Sequence, residues 1–182
     1  STQATQFASL VAMGVPACFA PGTLILTADG EKPVETLWPG DRVITADHGP
    51  QTLRWIGRRE VVFHATNPRG TKDKPIQIKA GALGQHLPRR ELVVSPLHRM
   101  VIRDPAGRQV MVVAKALIAH DDVRIMKGKK RIVYYSLLFD RHEVIFAEGA
   151  PTESFRPGPV ALADFAPEHR AQVTHIHLNR RR

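Results

Sequence analysis

The sequence predicts an all-β fold, compact and built from many short strands with little helix. Three observations point there. Apolar residues alternate or cluster in short β-branched runs such as TLILT, RVITA, ELVVS and RIVYYSLLF, while helical periodicity is scarce. Glycine and proline, 13 and 14 residues of 182, mark turns between those runs. The 43% hydrophobic and 24% charged content is that of one ordinary globular domain, long enough to bury a real core.

The elements follow in order. Residues 23–27 and 33–37 flank Ala28-Asp29-Gly30-Glu31, where Asp-Gly supplies the positive φ of a tight hairpin. Pro39-Gly40-Asp41 is a second turn, with Asp41 satisfying turn amides, and it leads into a strand at 42–46. ADHG at 46–49 is a further turn in which Asp47 caps local backbone. Residues 51–63 read as one long or bent strand carrying Trp55, and Trp38 and Trp55 are expected to pack in the core or a hairpin. Short strands follow at 75–79, 91–95, 99–103 and 109–113, with one or two helical turns across 112–118. The basic run Lys127-Gly128-Lys129-Lys130-Arg131 reads as a hairpin tip. Strands at 131–139 and 143–147 close the β-rich region, PTESFRPGP is a proline-broken exit, and 163–173 reads as a short helix. There is no internal repeat and no low-complexity tract.

The formal charge of +9 raises non-specific attraction to anions. The basic residues are scattered and not interleaved with aromatics, however, so no nucleic-acid partner is expected. No apolar stretch approaches the length of a membrane span. FASLVAMGVPA at 7–17 faintly resembles the end of a signal peptide but lacks a basic start, so localisation, cytoplasmic or exported, stays open. His48, His64, His86, His120, His169, His175 and His177 need no chemistry. The HIH spacing near the end has no cysteine or acidic partner, so neither a metal nor a cofactor is expected.

Cys18 is the only cysteine, so no internal disulfide holds the fold. It is either a small buried hydrophobe or a nucleophile. A nucleophile needs a group that manages its proton and donors that stabilise the developing oxyanion. VVSPLHRM at 93–100 offers Ser95 and His98, three positions apart across a turn that Pro96 stiffens. Such a pair can point into one small volume, although a histidine after a proline turn is most often surface.

CFAPGTLILTADGEKPVETLWPGDRVIT, with Val34, Leu37, Gly40, Asp41 and Val43, resembles the opening of Hint domains, the module shared by Hedgehog autoprocessing domains and inteins. SPLH is similar to the family's T-x-x-H motif, with Ser95 in place of threonine and His98 as the histidine. YYSLLFDRHEVIFAEG at 134–149 is similar to the C-terminal intein block. RWIG (54–57), SPxHR and RHEVxFAEGAPTESF resemble a bacterial Hint subfamily in particular.

The resemblance implies a Hint-type, horseshoe-like β fold. It divides the chain into an upstream flank at 1–16, an autoprocessing domain at 17–156 and a tail at 157–182. It also implies that the Cys18 thiol attacks the carbonyl of Ala17, turning the Ala17–Cys18 amide into a thioester in a single turnover. His98 would protonate the leaving nitrogen, and Ser95 would orient the scissile peptide or hydrogen-bond its oxygen. Strain at the junction would help populate the thioester, and small Ala17 leaves the carbonyl accessible.

Inteins finish with His-Asn, where this chain has Glu153 and Ser154. Without that asparagine no cyclisation is available, so cleavage without protein splicing is expected. The substrate is then the chain's own N-terminal flank, in a monomer, with water or a small nucleophile as acceptor. The short tail gives sterol transfer no support, and no inserted nuclease domain fits within the length.

For the second step the ungapped register places Ser136 at the family's acidic or cysteine position and Glu143, not His142, at the block histidine. A β-bulge would restore His142. His142 is a candidate acid or base, Ser136 a weaker orienting group, Asp140 the nearest carboxylate, and Asp47 a remote alternative. The rival expectation is a catalytically silent β module that binds a partner or anionic ligand through its basic surface.

Overall fold

The structure is a computed structural model, described here for residues 17–63 and 74–156. The upstream flank, the tail and its expected helix at 163–173 lie outside those residues.

The first hairpin pairs β1 (Leu24–Thr27) with β2 (Gly30–Pro33). Gly30 sits at φ 100°, and the Thr27 hydroxyl donates to its carbonyl at 2.6 Å. The second strand ends at Pro33, short of the expected residue 37. There the chain coils into a 3₁₀ turn (Val34–Thr36) that buries Val34 completely. The Asp41 carboxylate accepts the Trp38 amide at 2.9 Å, as expected of the next turn. Trp38 itself is 74% exposed on that turn, contrary to the expectation that it packs in the core or a hairpin, whereas Trp55 is buried.

The expected single strand at 51–63 is two strands. β4 (Gly49–Thr52) pairs with β3 (Arg42–Thr45), and β5 (Trp55–Val62) pairs with β11 (Arg131–Leu138). The break has a plain cause in hydrogen bonding. Leu53 donates to the Asp41 carbonyl at 2.8 Å, while Arg54 donates to the Leu138 carbonyl at 2.8 Å, so the chain changes sheets between them.

β6 (Ile76–Ile78), β7 (Leu92–Val94), β8 (Arg99–Arg103) and β9 (Gln109–Val113) stand where the alternation puts them, and a 3₁₀ turn (Ala114–Ala119) follows. β10 (Val123–Ile125) is a strand the sequence reading missed. Because β10 pairs with β6 and β11 with β5, the basic run between them joins different strand pairs and is not a hairpin tip.

β12 (Val144–Ala147) turns into β13 (Ala150–Glu153), a paired strand where the sequence predicts a proline-broken exit. Glu148 and Gly149, both at positive φ (49° and 78°), make the two-residue turn between them. The Glu148 carboxylate holds that turn in place, accepting the Leu24 amide at 2.9 Å and Arg90 at 2.7 and 2.9 Å.

Among the described residues the largest sheet has eight strands, in the order β2-β1-β3-β12-β13-β8-β9 with β4 beside β3. A three-stranded group, β10-β6-β7, and the β11-β5 pair complete the architecture. The main core gathers Phe19, Ile25, Val43, Leu53, Ile78, Met100, Leu137 and Ile145 with their neighbours. Among the described residues no helix is long and apolar enough to cross a membrane.

Candidate functional site

Residues 18–20 form a single rung between two strands. Phe19 and Tyr135 of β11 exchange both backbone hydrogen bonds, at 2.8 and 2.9 Å. On the other side Ala20 donates to the Val93 carbonyl at 3.0 Å, and Ser95 donates to the Cys18 carbonyl at 3.1 Å. Side chains alternate along an extended rung. Phe19 therefore enters the main core, while Cys18 and Ala20 join a smaller cluster with Ile132 and Tyr134. This register sets Cys18 opposite Ser136 on one flank and Ser95 on the other.

Both serines touch the cysteine. The Cys18 amide donates to Ser95 Oγ at 3.1 Å, so Ser95 grips that residue through its hydroxyl and its backbone amide together. Cys18 Sγ lies 3.0 Å from Ser136 Oγ, with either atom able to donate. All three side chains are sealed, at 1%, 0% and 1% exposure for Cys18, Ser95 and Ser136. A thiol held this way lies in a small apolar cluster but meets a hydroxyl within it.

His98 closes the turn that starts at Ser95, its amide donating to the Ser95 carbonyl at 3.1 Å. The ring is fully buried and meets the Phe19 ring edge-on, with centroids 4.6 Å apart. Its Nε2 bonds to the Thr152 hydroxyl on β13. Burial pushes the imidazole down to about 4, against the opposing pull of the Glu153 carboxylate and the Cys18 backbone.

His142, Glu143, Asp140 and Ser154 are each engaged by other residues. His142 Nε2 is 3.1 Å from Glu153 Oε2, and Arg99 donates to the same carboxylate from its backbone amide at 2.9 Å and from Nε at 2.8 Å. Burial alone would raise the Glu153 carboxyl. The bonds from His142 and Arg99 outweigh it and hold the group below the ordinary carboxylate value. Glu143 is buried and turns the other way, with His48 Nδ1 2.7 Å from its Oε2. β12 and β13 pair continuously from Val144↔Glu153 to Ala147↔Ala150, so the opposite directions of His142 and Glu143 need no bulge. Asp140 is half exposed and takes two bonds at 3.0 Å from Arg54. Asp47 is exposed, and it is Thr45 Oγ1 that accepts the His48 amide in that turn, at 3.0 Å. Ser154 is fully buried, its hydroxyl accepting the Glu143 amide at 2.9 Å.

Sequence reasoning missed Thr152 and the Arg99–Glu153 pair. Each contact spans 54 residues, and nothing local to PTES announces it.

A family model described as the Hint domain matches residues 17–159. No curated protein matches the chain. Among solved structures the chain is similar to the bacterial intein-like domain from Clostridium thermocellum, at 15% identity over 76% of this chain and 98% of that one, with a TM-score of 0.49. It is also similar to the TvoVMA intein, at 12% identity over 75% and 96% with a TM-score of 0.48. For the gp41-1 intein the figures are 10% identity, 75% and 97%, and 0.44.

Proposed function

This chain belongs to the Hint domain family, whose fold supports self-processing in general. On that premise we propose that the Cys18 thiol attacks the Ala17 carbonyl and converts the Ala17–Cys18 amide into a thioester. The S–C bond forms, the C–N bond breaks and the thiol proton ends on the Cys18 nitrogen. The step is an isomerisation and needs no cofactor.

The observation that supports this reading best is the pair of serines on Cys18, one accepting the amide proton of the bond to be cut and one against the sulfur. Core filler would also need a partner for its buried amide, but not a hydroxyl against its sulfur. Ser95 fixes the plane of the scissile peptide, and a hydrogen bond from Ser136 favours the thiolate. An amide nitrogen leaves poorly unless it is protonated as the tetrahedral adduct collapses. His98, packed on the ring of the very next residue, is the group assigned to deliver that proton.

Water or an added small nucleophile then takes the acyl group and releases the N-terminal flank. Ser154 has no amide to cyclise, so the C-terminal side stays attached and no splicing follows. His142, engaged by Glu153, and Asp140, engaged by Arg54, take no part in the first step.

Intact mass and a denaturing gel of the full chain, with and without dithiothreitol, test this. A fragment beginning at Cys18 is expected, increased by thiol and absent in Cys18→Ala. If wild type and Cys18→Ala both stay full length after long incubation with thiol, the reading gives way to a silent module that binds through its basic surface.

A further inference from the structure

We propose that Phe155 is a positioning residue for the first step: it occupies the rung of β11 that Ala17 would otherwise take, and so keeps the carbonyl to be attacked out of the sheet. The proposal deepens the self-processing reading and rests on it.

The register shows the competition. Phe19 and Tyr135 exchange both backbone bonds, and in an antiparallel ladder the next such pair lies two residues further along each strand. That pair would be Ala17 with Leu137. Among the described residues neither bond joins them. The Leu137 carbonyl instead accepts the Phe155 amide at 2.8 Å. The pairing of residues 18–20 with β11 therefore ends at the residue whose carbonyl is to be attacked.

Phe155 reaches that rung by a change of partner. Ser154 still belongs to the β12–β13 pair, its amide donating to the Glu143 carbonyl at 2.8 Å and its hydroxyl accepting the Glu143 amide at 2.9 Å. One residue later the chain crosses to β11. The Phe155 ring is 1% exposed and packs on Trp55, with centroids 5.9 Å apart, which anchors the crossing.

The chemistry gives the crossing a purpose. Had Ala17 entered the ladder, its oxygen would lie on the line of the Leu137 N–H, in the plane of a flat amide. Sulfur adding to the carbon makes that carbon tetrahedral and swings the oxygen off the line. A bond that is stronger in the planar amide than in the adduct raises the barrier. A closed rung would also hold the flank on the domain after the C–N bond breaks. With Phe155 on the Leu137 carbonyl the rung cannot close, and Ser95 grips the scissile peptide from its nitrogen side alone.

Two measurements test the proposal. The first is hydrogen exchange of the Ala17 amide in the full chain carrying Cys18→Ala, with the Phe19 amide as the bonded reference. Ala17 should exchange at least about tenfold faster than Phe19. Adding Phe155→Pro, which has no N–H to give, frees the Leu137 carbonyl, and the Ala17 amide should then slow by about tenfold or more. Phe155→Leu keeps the N–H and should leave the exchange unchanged. The second is the rate of fragment formation with Cys18 present. Phe155→Pro should slow it by about tenfold or more at equal folded fraction, and Phe155→Leu should stay within about threefold.

An Ala17 amide as protected as that of Phe19 in the Cys18→Ala chain overturns the proposal whether or not Phe155→Pro folds. So does a folded Phe155→Pro chain that cleaves at the parent rate, or one that cleaves slowly without any gain of protection at Ala17. If the unaltered chain makes no fragment, the self-processing reading falls, and the exchange rates still decide whether Phe155 holds Ala17 off β11.

Discussion

Ser95 and Ser136 flank one cysteine and do different work, which their substitutions should separate. Ser95→Ala removes the acceptor of the scissile amide proton and leaves that N–H unmet in a sealed site. The expected result is cleavage slowed by about ten- to a hundredfold, with stability lowered by about 1–2 kcal/mol. Ser136→Ala removes only the hydroxyl beside Sγ, and fragment formation should slow by less than in Ser95→Ala. Time courses on denaturing gels compare the two, and equal rates for both variants would contradict the division of labour. Cys18→Ala should abolish cleavage while costing about 1 kcal/mol, the size of a small side-chain truncation in a cluster as modest as that with Ala20 and Tyr134. Ser95 and His98 were legible in the sequence because a proline turn brings them together locally. Ser136 emerged only from family resemblance, since its contact with Cys18 spans 118 residues. Thr152 gave no signal at all, because a threonine in a short strand is ordinary until its partner across the sheet is known.

The β12–β13 hairpin is the element on which the histidine depends, since it carries both Thr152 and Glu153. Its turn needs two successive residues at positive φ, a conformation that glycine adopts freely and glutamate holds here through its carboxylate bonds to Leu24 and Arg90. A Cβ on Gly149 would also come within 2.7 Å of the Arg89 side chain, although that flexible end can move aside. Backbone strain is therefore the main cost of Gly149→Ala, expected at about 1–2 kcal/mol. The variant should lower the urea midpoint and slow cleavage more than that loss of folded protein explains, because a displaced β13 withdraws Thr152 from His98. A variant that is destabilised but cleaves normally once the folded fraction is taken into account would detach the hairpin from the site. Alternation made β1, β3, β7, β8 and β11 readable, and Asp-Gly announced the first turn. β13 was not readable, because Pro151 argued against a strand and only tertiary bonds hold Glu148 in its turn. The division of 51–63 was equally hidden, since the apolar pattern runs on while the hydrogen-bonding partner changes at Leu53 and Arg54.

At the scale of the whole molecule, the site is buried in the same body that must stay folded, so its protonation is tied to stability. His98 titrates at 6.5 when exposed and is pushed down to about 4 in the fold. Between those values the unfolded chain binds a proton that the folded chain refuses. The contribution is therefore complete above about 6.5 and is lost progressively as pH falls towards 4. A gap of that size corresponds to roughly 3 kcal/mol. Glu153 acts in the same direction at lower pH. Its folded value lies below the ordinary 4.5, so its contribution is present above that point and lost as pH falls through the folded value. Urea unfolding at pH 7.5, 6, 5 and 4 should thus show a midpoint that begins to fall near pH 6.5, well before carboxylates titrate. His98→Gln, which cannot take the proton, should flatten the upper part of that fall and leave the lower part to Glu153 and the other carboxylates. A midpoint that is level from pH 7.5 to 5 in the unaltered chain, or equally steep there in His98→Gln, would mean that the imidazole is not held neutral by the fold. The proton economy assigned to the site would then lose its physical basis.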